Sequence, residues 1–378
     1  MYGFDYFPDR RNTGSLKWDV APEGVLPMWV ADMDISIAPP IEEAIMKRAI
    51  HPLYGYSDEE QEELKEIVSD HYERKYGARP KTEWIVWVPS VMPGLTTCCK
   101  MQGGSFIYSV PMYNHIRMLT EETRQTVIEV PMKRDGQYRF TMDFDALERA
   151  LTPEVRTFIL CNPHNPVGRV YTREELEQVV GFCEKHDLLL ASDEIHGELA
   201  LHKPHIPMFS LSERAAAISV TVASAGKICN IPGLPMGFAI IPNPEIRERF
   251  MTEKAGTYPA FNVLTLAAYR KAFDGSCEAW KDELRHYLSE NLAYLEQRIE
   301  AIPGLHMPHN EGTYLAWIDC RELHLENPGK YFLEEAAVML SGGEVYGDPQ
   351  CVRLNYGCPR SQLTEVLDRM ERAVKKIC

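Results

Sequence analysis

Three short polar motifs in this chain each follow an apolar run, and each carries a side chain that can take part in chemistry. The motifs are Asn-Pro-His-Asn-Pro-Val-Gly at 162–168, Ser-Asp-Glu-Ile-His at 192–196 and Ser-Ala-Gly-Lys at 224–227. Their reactive members are the amide of Asn165, the carboxylate of Asp193 and the amine of Lys227. One lysine among 40 lysines and arginines would be an ordinary surface group. The ordered set of three motifs is a much more specific signal.

The chemistry open to these three side chains points to one cofactor. A lysine amine can condense with an aldehyde, a carboxylate can keep a pyridine nitrogen protonated, and an amide can hydrogen-bond a phenolic oxygen. Pyridoxal 5'-phosphate (PLP) needs all three. A buried Asp193 would also need a positive partner, which a protonated ring nitrogen would supply. The sequence therefore predicts PLP bound at Lys227, Asp193 and Asn165.

The apolar runs before the motifs determine where these side chains should lie. Runs rich in β-branched residues and bounded by small or polar residues are typical of buried parallel strands. The three runs are 157–161, 188–192 and 218–223. Ligands of open α/β sheets bind beyond the carboxyl ends of such strands. We therefore expect the three side chains along one rim of a parallel sheet, with a helix starting at the capping box Thr172–Glu175 between two of the strands.

The composition excludes some classes of partner. The chain has 378 residues, of which 45% are hydrophobic and 25% charged, as expected for a globular enzyme with a large core. Its net charge of −15 argues against nucleic acids and anionic membranes, which both require a basic surface. No apolar run approaches the ~20 residues of a membrane span, and no signal-peptide pattern is visible at the start. We therefore expect a cytoplasmic protein that acts on a small molecule.

The ten cysteines follow neither a metal-ligand spacing nor a redox-pair spacing. Most of them are expected to be reduced thiols in the core. His202 and His205 are three residues apart, but Pro204 between them argues against a helical metal-binding pair. The sequence therefore predicts no metal.

The motifs also resemble those of the fold-type I PLP-dependent enzymes, the aminotransferase class I/II superfamily. Within it the chain is most similar to the branch of cystathionine β-lyase-like C-S lyases. The branch pattern is matched by Phe4-Asp5, Arg10, Thr13, Ser15, Lys17-Trp18-Asp19, Leu26-Pro27-Met28-Trp29-Val30-Ala31-Asp32-Met33-Asp34, Tyr54-Gly55-Tyr56, Gly312-Thr313-Tyr314 and Val352-Arg353-Leu354-Asn355. The resemblance extends over nearly the whole chain, and the stretch from Trp29 to Asp34 is its most branch-specific part.

The resemblance implies a fold and an assembly. The expected fold class is α/β and PLP-dependent transferase-like: a large domain with a mainly parallel seven-stranded sheet between helices, plus a smaller α+β domain. The expected divisions are an N-terminal arm at 1–45 that packs with the small domain, a large PLP-binding domain at 46–280 and a small domain at 281–378. In the family, the second tyrosine of Tyr-Gly-Tyr reaches the partner subunit's cofactor. Tyr56 therefore implies a homodimer, and a packed aromatic turn is the alternative.

The cofactor phosphate should lie at a helix N-terminus. A helix is expected to begin directly after the strand-like run at 84–88, and its free N–H groups and positive dipole end would suit a phosphate. Ser90, Val91 and Met92 are the candidates for that cradle, and Ser224 of the lysine motif is a further cofactor-binding candidate. The branch usually has a serine directly before the lysine. This chain has glycine there, at 226, so one phosphate contact of the family is missing.

Two aromatic residues are expected beside the cofactor ring. The resemblance places Tyr113 against the face of the pyridine, although core packing of an aromatic residue would fit the same pattern. His196 is expected to support Asp193 or the cofactor oxygen, and a purely structural histidine is equally consistent. Lys227, Asp193 and Tyr113 are the predicted catalytic residues.

The substrate-binding residues also come from the resemblance. The family uses the arginine at the position of Arg353 for the α-carboxylate of an amino acid, with the backbone near Val30 and Ala31 and the side chain of Asn165 beside it. Guanidinium suits this task because it matches a carboxylate through two parallel hydrogen bonds. An internal salt bridge of Arg353 is the alternative.

The resemblance implies a PLP-dependent C-S β-lyase that converts L-cystathionine or related cysteine S-conjugates to pyruvate, ammonia and a thiol such as homocysteine. Lys227 would take the α-proton as general base. The main alternative is an aminotransferase of an amino acid and a 2-keto acid, with the same Lys227, Asp193 and Arg353. A third hypothesis is a regulatory protein that uses the fold to hold a transcription factor, which predicts that Lys227→Ala keeps the biological effect.

Overall fold

The computed structural model describes residues 2–6 and 8–377, which form alternating strands and helices. The strands are β1 (Leu26–Pro27), β2 (Ile85–Val88), β3 (Ser105–Val110), β4 (Val127–Pro131), β5 (Lys133–Arg134), β6 (Phe140–Thr141), β7 (Val155–Cys161), β8 (Leu189–Asp193), β9 (Ser219–Ala223), β10 (Gly237–Ile240), β11 (Leu315–Asp319), β12 (Val338–Met339), β13 (Ser341–Gly342) and β14 (Cys351–Asn355). The α-helices are α1 (Leu16–Asp19), α2 (Pro39–Ile50), α3 (Glu62–Tyr76), α4 (Val91–Gln102), α5 (His115–Thr123), α6 (Phe144–Ala150), α7 (Arg173–Lys185), α8 (Met208–Leu211), α9 (Glu213–Ile218), α10 (Pro244–Lys254), α11 (Val263–Phe273), α12 (Glu278–Glu300), α13 (Pro328–Ala336) and α14 (Arg360–Val374).

A central sheet forms the framework of the protein. Within the described residues it has seven strands in the order β2-β10-β9-β8-β7-β3-β4. β10 runs antiparallel to both of its neighbours, and the other adjacent pairs are parallel. The predicted mainly parallel seven-stranded sheet is confirmed. β7, β8 and β9 are adjacent at its centre, so their carboxyl ends lie side by side.

Both faces of these central strands are buried. In β7, Phe158 and Leu160 pack in the apolar cluster beneath α7, whereas Ile159 between them packs in the cluster beneath α4. Successive side chains of a strand point to opposite faces, so a strand covered on both sides needs an uninterrupted apolar run. The capping box predicted for α7 is present: Thr172 accepts from the Glu175 amide, and the Glu175 side chain accepts from the Thr172 amide.

A second, smaller sheet carries the C-terminal arginine motif. β14 lies between β11 and β13 and is antiparallel to both. Arg353 is the middle residue of β14, opposite Trp317 of β11 and Ser341 of β13. The strand is therefore covered on both edges, and the Arg353 side chain projects from a fixed backbone position.

The N-terminal segment is tied to the C-terminal part of the chain. β1 pairs in parallel with β12, with Leu26 opposite Val338. Further along, the buried carboxylate of Asp34 accepts hydrogen bonds from Lys17 Nζ at 2.8 Å and Arg10 Nη1 at 2.7 Å. Burial alone would raise the pKa of Asp34, but the Lys17 ammonium holds it below its usual value. The charged Asp34 carboxylate therefore ties the end of the segment that follows β1 to Arg10 and Lys17.

One buried charge cluster was not predicted from the sequence. His71, Glu198 and Glu278 have ligand atoms within 4.8 Å of one another. Lys281 Nζ lies 3.0 Å from Glu198 and 3.1 Å from Glu278, so an ammonium already supplies the positive charge that the carboxylates need. The cluster joins α3, the segment after β8 and the start of α12.

Nine cysteines are free, buried thiols in the described part of the chain. The tenth, Cys378, lies outside the described residues. Every helix within residues 2–6 and 8–377 is too short or too polar to span a bilayer.

Candidate active site

A cavity of about 180 Å³ opens at the carboxyl ends of the central strands. Most of the residues predicted to bind cofactor or substrate line it. The predicted residues that line the cavity are Ala31, Ser90, Val91, Met92, Tyr113, Asn165, Asp193, His196, Ser224 and Lys227. Arg353 lies beside it and donates a hydrogen bond to the lining residue Asn165, and Val30 directly precedes the lining residue Ala31. Tyr56 is fully exposed on the surface and does not line the cavity of its own chain.

Lys227 lies just beyond the end of β9, as predicted. Its Nζ donates a hydrogen bond of 2.6 Å to the carbonyl oxygen of Ala31. Desolvation of the amine, followed by repulsion from Arg353, lowers the pKa of Lys227 to about 8, against the attraction of Asp32 and Asp193. A lysine with such a pKa has a substantial neutral fraction near physiological pH and can act as a base.

Asp193 is the last residue of β8, whereas the sequence predicted that the strand ends at Ser192 and that Asp193 follows it. Asp193 is 3% exposed. Its Oδ1 accepts a hydrogen bond of 3.1 Å from the Ile195 amide. Burial raises the pKa of Asp193 to about 7 in spite of that bond. Asp193 forms no salt bridge with any described cation. A buried carboxylate in this state favours a cationic ligand, and a protonated pyridine nitrogen is one.

Arg353 has unused donor capacity at the edge of the cavity. Its Nη2 donates to the Trp29 carbonyl at 2.8 Å and its Nη1 to Asn165 Oδ1 at 3.1 Å. Its Nε is buried and has no hydrogen-bond partner in the described residues. The guanidinium, 3% exposed, stacks over the Tyr346 ring at 4.9 Å. Arg353 forms no salt bridge with a described carboxylate, so the alternative of an internal salt bridge is wrong.

Asn165 links the arginine to the cofactor side of the cavity. Because its Oδ1 accepts from Arg353, the amide has its Nδ2 donor free to face an oxygen in the cavity. That arrangement suits the phenolic oxygen for which Asn165 was predicted. One side chain therefore connects the predicted carboxylate site with the predicted ring site.

The segment around Ala31 is held by side chains that the sequence analysis did not assign. The Tyr314 hydroxyl donates to the Ala31 carbonyl at 2.8 Å, beside the Lys227 amine. The Asn355 amide donates to the Val30 and Asp32 carbonyls, each at 2.6 Å. Tyr314 and Asn355 both belong to motifs that match the family. Their residue types alone do not reveal which backbone groups they contact.

Tyr113 and His196 lie on the walls of the cavity. The Tyr113 ring stacks on His115, with centroids 4.8 Å apart and planes at 23°. Burial raises the pKa of Tyr113 to about 12, so its hydroxyl remains protonated at neutral pH. His196 packs edge-on against Tyr314, and its buried Nδ1 has no partner among the described residues. Burial keeps the pKa of His196 well below its ordinary value, so the imidazole is neutral.

The N-terminus of α4 forms part of the cavity wall. Ser90 is the N-cap residue, but its side chain does not cap the helix. The amides of Val91 and Met92 are in the first turn, where helical N–H groups lack intrahelical partners. Ser224 also lines the cavity, next to Tyr269 of α11, which no sequence pattern indicated. This part of the wall can accept an anion through neutral donors.

Comparisons with known proteins agree with this geometry. Residues 33–370 match the sequence profile of the family aminotransferase class I and II. Cystathionine β-lyase PatB of Bacillus subtilis (strain 168) is 34% identical, over 98% of this chain and 99% of that protein. The crystal structure of OvoB superimposes with a TM-score of 0.94 at 35% identity and covers 99% of both chains. The PLP-bound C-S lyase from Staphylococcus hominis superimposes with a TM-score of 0.90 at 27% identity, over 99% of both chains.

Proposed function

The chain belongs to the aminotransferase class I and II family, and we propose that within this family it is a PLP-dependent C-S β-lyase. The proposed substrates are L-cystathionine and related cysteine S-conjugates, and the products are pyruvate, ammonia and a thiol. Full-length similarity to a cystathionine β-lyase and to a PLP-bound C-S lyase supports the reaction. The observation that carries the proposal is one cavity lined by the Asp193 carboxylate, which forms no salt bridge within the described residues, and by the Lys227 amine of lowered pKa. Arg353 lies beside this cavity, hydrogen-bonded to the lining residue Asn165, and its Nε has no partner among the described residues.

The residues of the cavity fit PLP. Asp193 would hold a proton on the ring nitrogen, and Asn165 would donate to the ring oxygen. The α4 N-terminus and Ser224 would bind the phosphate, and Tyr113 would cover one face of the ring. When bound, PLP supplies an electron sink for the electron pair released from the substrate α-carbon.

The protein's own side chains would orient the substrate and accept its α-proton. Arg353 would bind the substrate α-carboxylate through its free Nε and a neighbouring Nη, which fixes the α-hydrogen toward Lys227. The neutral amine of Lys227 would take that proton, while the C–S bond at the β-carbon breaks and the sulfur leaves as a thiolate. Water then completes the conversion of the remaining three-carbon fragment to pyruvate and ammonia. The Ala31 carbonyl is within reach of the protonated Lys227 and would stabilise it.

The test is a direct assay of all three products. Purified protein loaded with PLP is mixed with L-cystathionine, and pyruvate, ammonia and homocysteine are measured. We expect the three in equal amounts, and none above background from Lys227→Ala. PLP-loaded protein that releases no pyruvate would overturn the proposed substrate.

Aminotransfer is the second candidate because the same three side chains serve it. Lys227, Asp193 and Arg353 act before the two reactions diverge, and the family profile includes aminotransferases. The discriminating observation is transfer of the amino group to a 2-keto acid without loss of sulfur. The same assay, supplemented with 2-keto acids, separates the two outcomes.

We also propose a homodimer in which Tyr56 completes the partner subunit's site. The segment from the end of α2 to Tyr56 exposes a run of large apolar side chains. Ile50, Leu53, Tyr54 and Tyr56 are each more than half exposed. A surface of this kind on a single chain is typical of an interface between subunits. A second copy of this chain is the proposed occupant.

Mixing two inactive variants tests the shared site. Tyr56→Ala and Lys227→Ala should each be poorly active as homodimers. In a mixed dimer, one site combines the intact Lys227 of one chain with the intact Tyr56 of the other. At equal mixing, this gives about one quarter of the wild-type sites.

The matched control mixes Lys227→Ala with Arg353→Met. Both of these residues belong to the same chain's site, so the mixed dimer has no intact site and no activity should return. Equal behaviour of the two mixtures, or a monomer at working concentration, would contradict the assignment of Tyr56.

Two further expectations remain part of the proposal. A cytoplasmic location is supported by the nine buried free thiols, which are typical of a reducing compartment. The division at 45/46 and 280/281 remains a prediction, and its second boundary falls in the first turn of α12.

A further inference from the structure

The cavity has few charged hydrogen-bond donors for the phosphate that we propose to bind at the α4 N-terminus. Among the described residues that line the cavity, Lys227 is the only lysine or arginine, and its amine donates a hydrogen bond to the Ala31 carbonyl. The other basic side chain of the lining, His196, is neutral because burial lowers its pKa. A phosphate at the α4 N-terminus must therefore be bound mainly by backbone N–H groups and hydroxyls. In such a site each hydroxyl proton matters, because no cation compensates for a lost hydrogen bond.

Two hydroxyls in the lining of the cavity compete for one carbonyl. Ser224 Oγ lies 2.7 Å from the Met236 carbonyl oxygen, and the Tyr269 hydroxyl lies 2.6 Å from the same oxygen. The two hydroxyl oxygens are 2.9 Å apart. The three contacts among these oxygens can therefore use only two protons, one from each hydroxyl. One proton is enough to satisfy the carbonyl, so the other is available to a ligand.

The hydroxyls of Ser224 and Tyr269 lie next to Gly226, the glycine that precedes Lys227. A Cβ placed on Gly226 would lie 3.2 Å from Ser224 Oγ and 3.6 Å from the Tyr269 hydroxyl. The hydroxyls of Ser224 and Tyr269 therefore lie where the side chain of a serine at position 226 would pack. Tyr269 is 1% exposed, and burial raises its pKa far above neutrality, so its proton is always present.

We propose that Tyr269 is a positioning residue for cofactor binding: its hydroxyl satisfies the Met236 carbonyl, which leaves the Ser224 proton to hydrogen-bond the cofactor phosphate. Without Tyr269, Ser224 has to choose between the carbonyl and the phosphate, and one of two buried acceptors loses its donor. In this chain the tyrosine thus compensates for the serine that is absent at 226. The inference rests on the proposed function only in that the chain binds PLP.

Cofactor affinity, measured without turnover, tests this role. Apoprotein is titrated with PLP and, separately, with pyridoxal, which has the aldehyde and the ring but no phosphate. Tyr269→Phe should weaken PLP binding about tenfold, the effect of one hydrogen bond. Its affinity for pyridoxal should equal that of wild type. Equal losses for both ligands, or no loss for PLP, would overturn the role of Tyr269.

A double-mutant cycle tests whether Tyr269 acts through Ser224. Ser224→Ala alone should weaken PLP binding, but adding Tyr269→Phe to it should have no further effect, because no serine proton remains to be released. Additive losses would mean that Tyr269 contacts the phosphate independently. That result would overturn the positioning role.

Tyr356→Phe is the matched control. Tyr356 is also buried, and its hydroxyl donates to a backbone carbonyl, that of Thr313, at 2.8 Å. Tyr356→Phe should leave PLP affinity unchanged. Thermal unfolding of all variants verifies that they are folded. If wild type itself does not bind PLP, the proposed function fails. If wild type binds and Tyr269→Phe binds equally well, only this inference fails.

Discussion

Lys227→Ala is expected to lower the rate of pyruvate formation from L-cystathionine by about 10⁴-fold, the upper range for loss of a general base. Lys227 is placed at the end of β9, and its Nζ is fixed at the Ala31 carbonyl by a 2.6 Å hydrogen bond. Desolvation and repulsion from Arg353 lower its pKa to about 8, which makes the neutral amine available near neutral pH. Alanine at this position leaves no group to take the α-proton. Steady-state kinetics of the three products measures the effect.

The expected pH dependence follows from the same pKa. A base with a lowered pKa is active when neutral, so the rate should rise as the pH approaches about 8 and then level off. A small primary amine added to Lys227→Ala should restore part of the rate in proportion to its neutral fraction. Lys227→Arg is the control, because it retains the positive charge and cannot act as a base near neutral pH. Activity of Lys227→Ala close to that of wild type would contradict the role, and would favour the regulatory hypothesis if a biological effect persisted.

Arg353→Met is expected to lower kcat/KM for the amino acid substrate by about 10³-fold, the range for removal of a buried partner of a charged group. Arg353 is 3% exposed, and within the described residues its guanidinium forms no salt bridge and its buried Nε has no hydrogen-bond partner. A substrate carboxylate would satisfy both its charge and its free donor. Arg353→Lys should fall between wild type and Arg353→Met, because lysine keeps the charge but loses the planar fork.

A second readout separates substrate binding from structural support, because Arg353 also donates to the Trp29 carbonyl. With a substrate analogue that lacks the α-carboxylate, Arg353→Met and wild type should be equally poor. A 10³-fold difference that persisted for this analogue would show that the arginine acts by holding the backbone. Arg353→Met should also move the rise in rate to higher pH, because removing the positive charge near Lys227 raises the pKa of its amine.

The meeting of Asn165, Asp193 and Lys227 at one edge of the sheet could be predicted, because it depends on local sequence patterns and one general rule of α/β sheets. Apolar β-branched runs predict buried strands, and parallel strands bring their carboxyl ends to one edge. Asn165, Asp193 and Lys227 follow such runs in order, and the structure brings all three to one cavity. The prediction erred by one residue at Asp193, which belongs to β8, because ends of strands are the least specified part of a pattern.

Contacts between distant segments could not be predicted in the same way. Tyr269 lies 42 residues after Lys227 in α11, where it reads as one apolar position of a buried helix. Tyr314 and Asn355 come from the C-terminal part of the chain but hold the carbonyls of Val30 and Ala31. No periodicity indicates such pairs, because they depend on how whole elements pack against each other.

The sequence by itself thus predicted the fold class, the cofactor and the side chains that meet at one cavity, because strand patterns and reactive side chains are encoded locally. Only the tertiary structure decided the state of those residues. Within the described residues, it left Asp193 without a salt bridge and the Arg353 Nε without a hydrogen-bond partner, and it brought the Ser224 and Tyr269 hydroxyls to one carbonyl. Burial, distance and the count of hydrogen-bond partners are properties of packed elements, and these quantities determine pKa and binding strength.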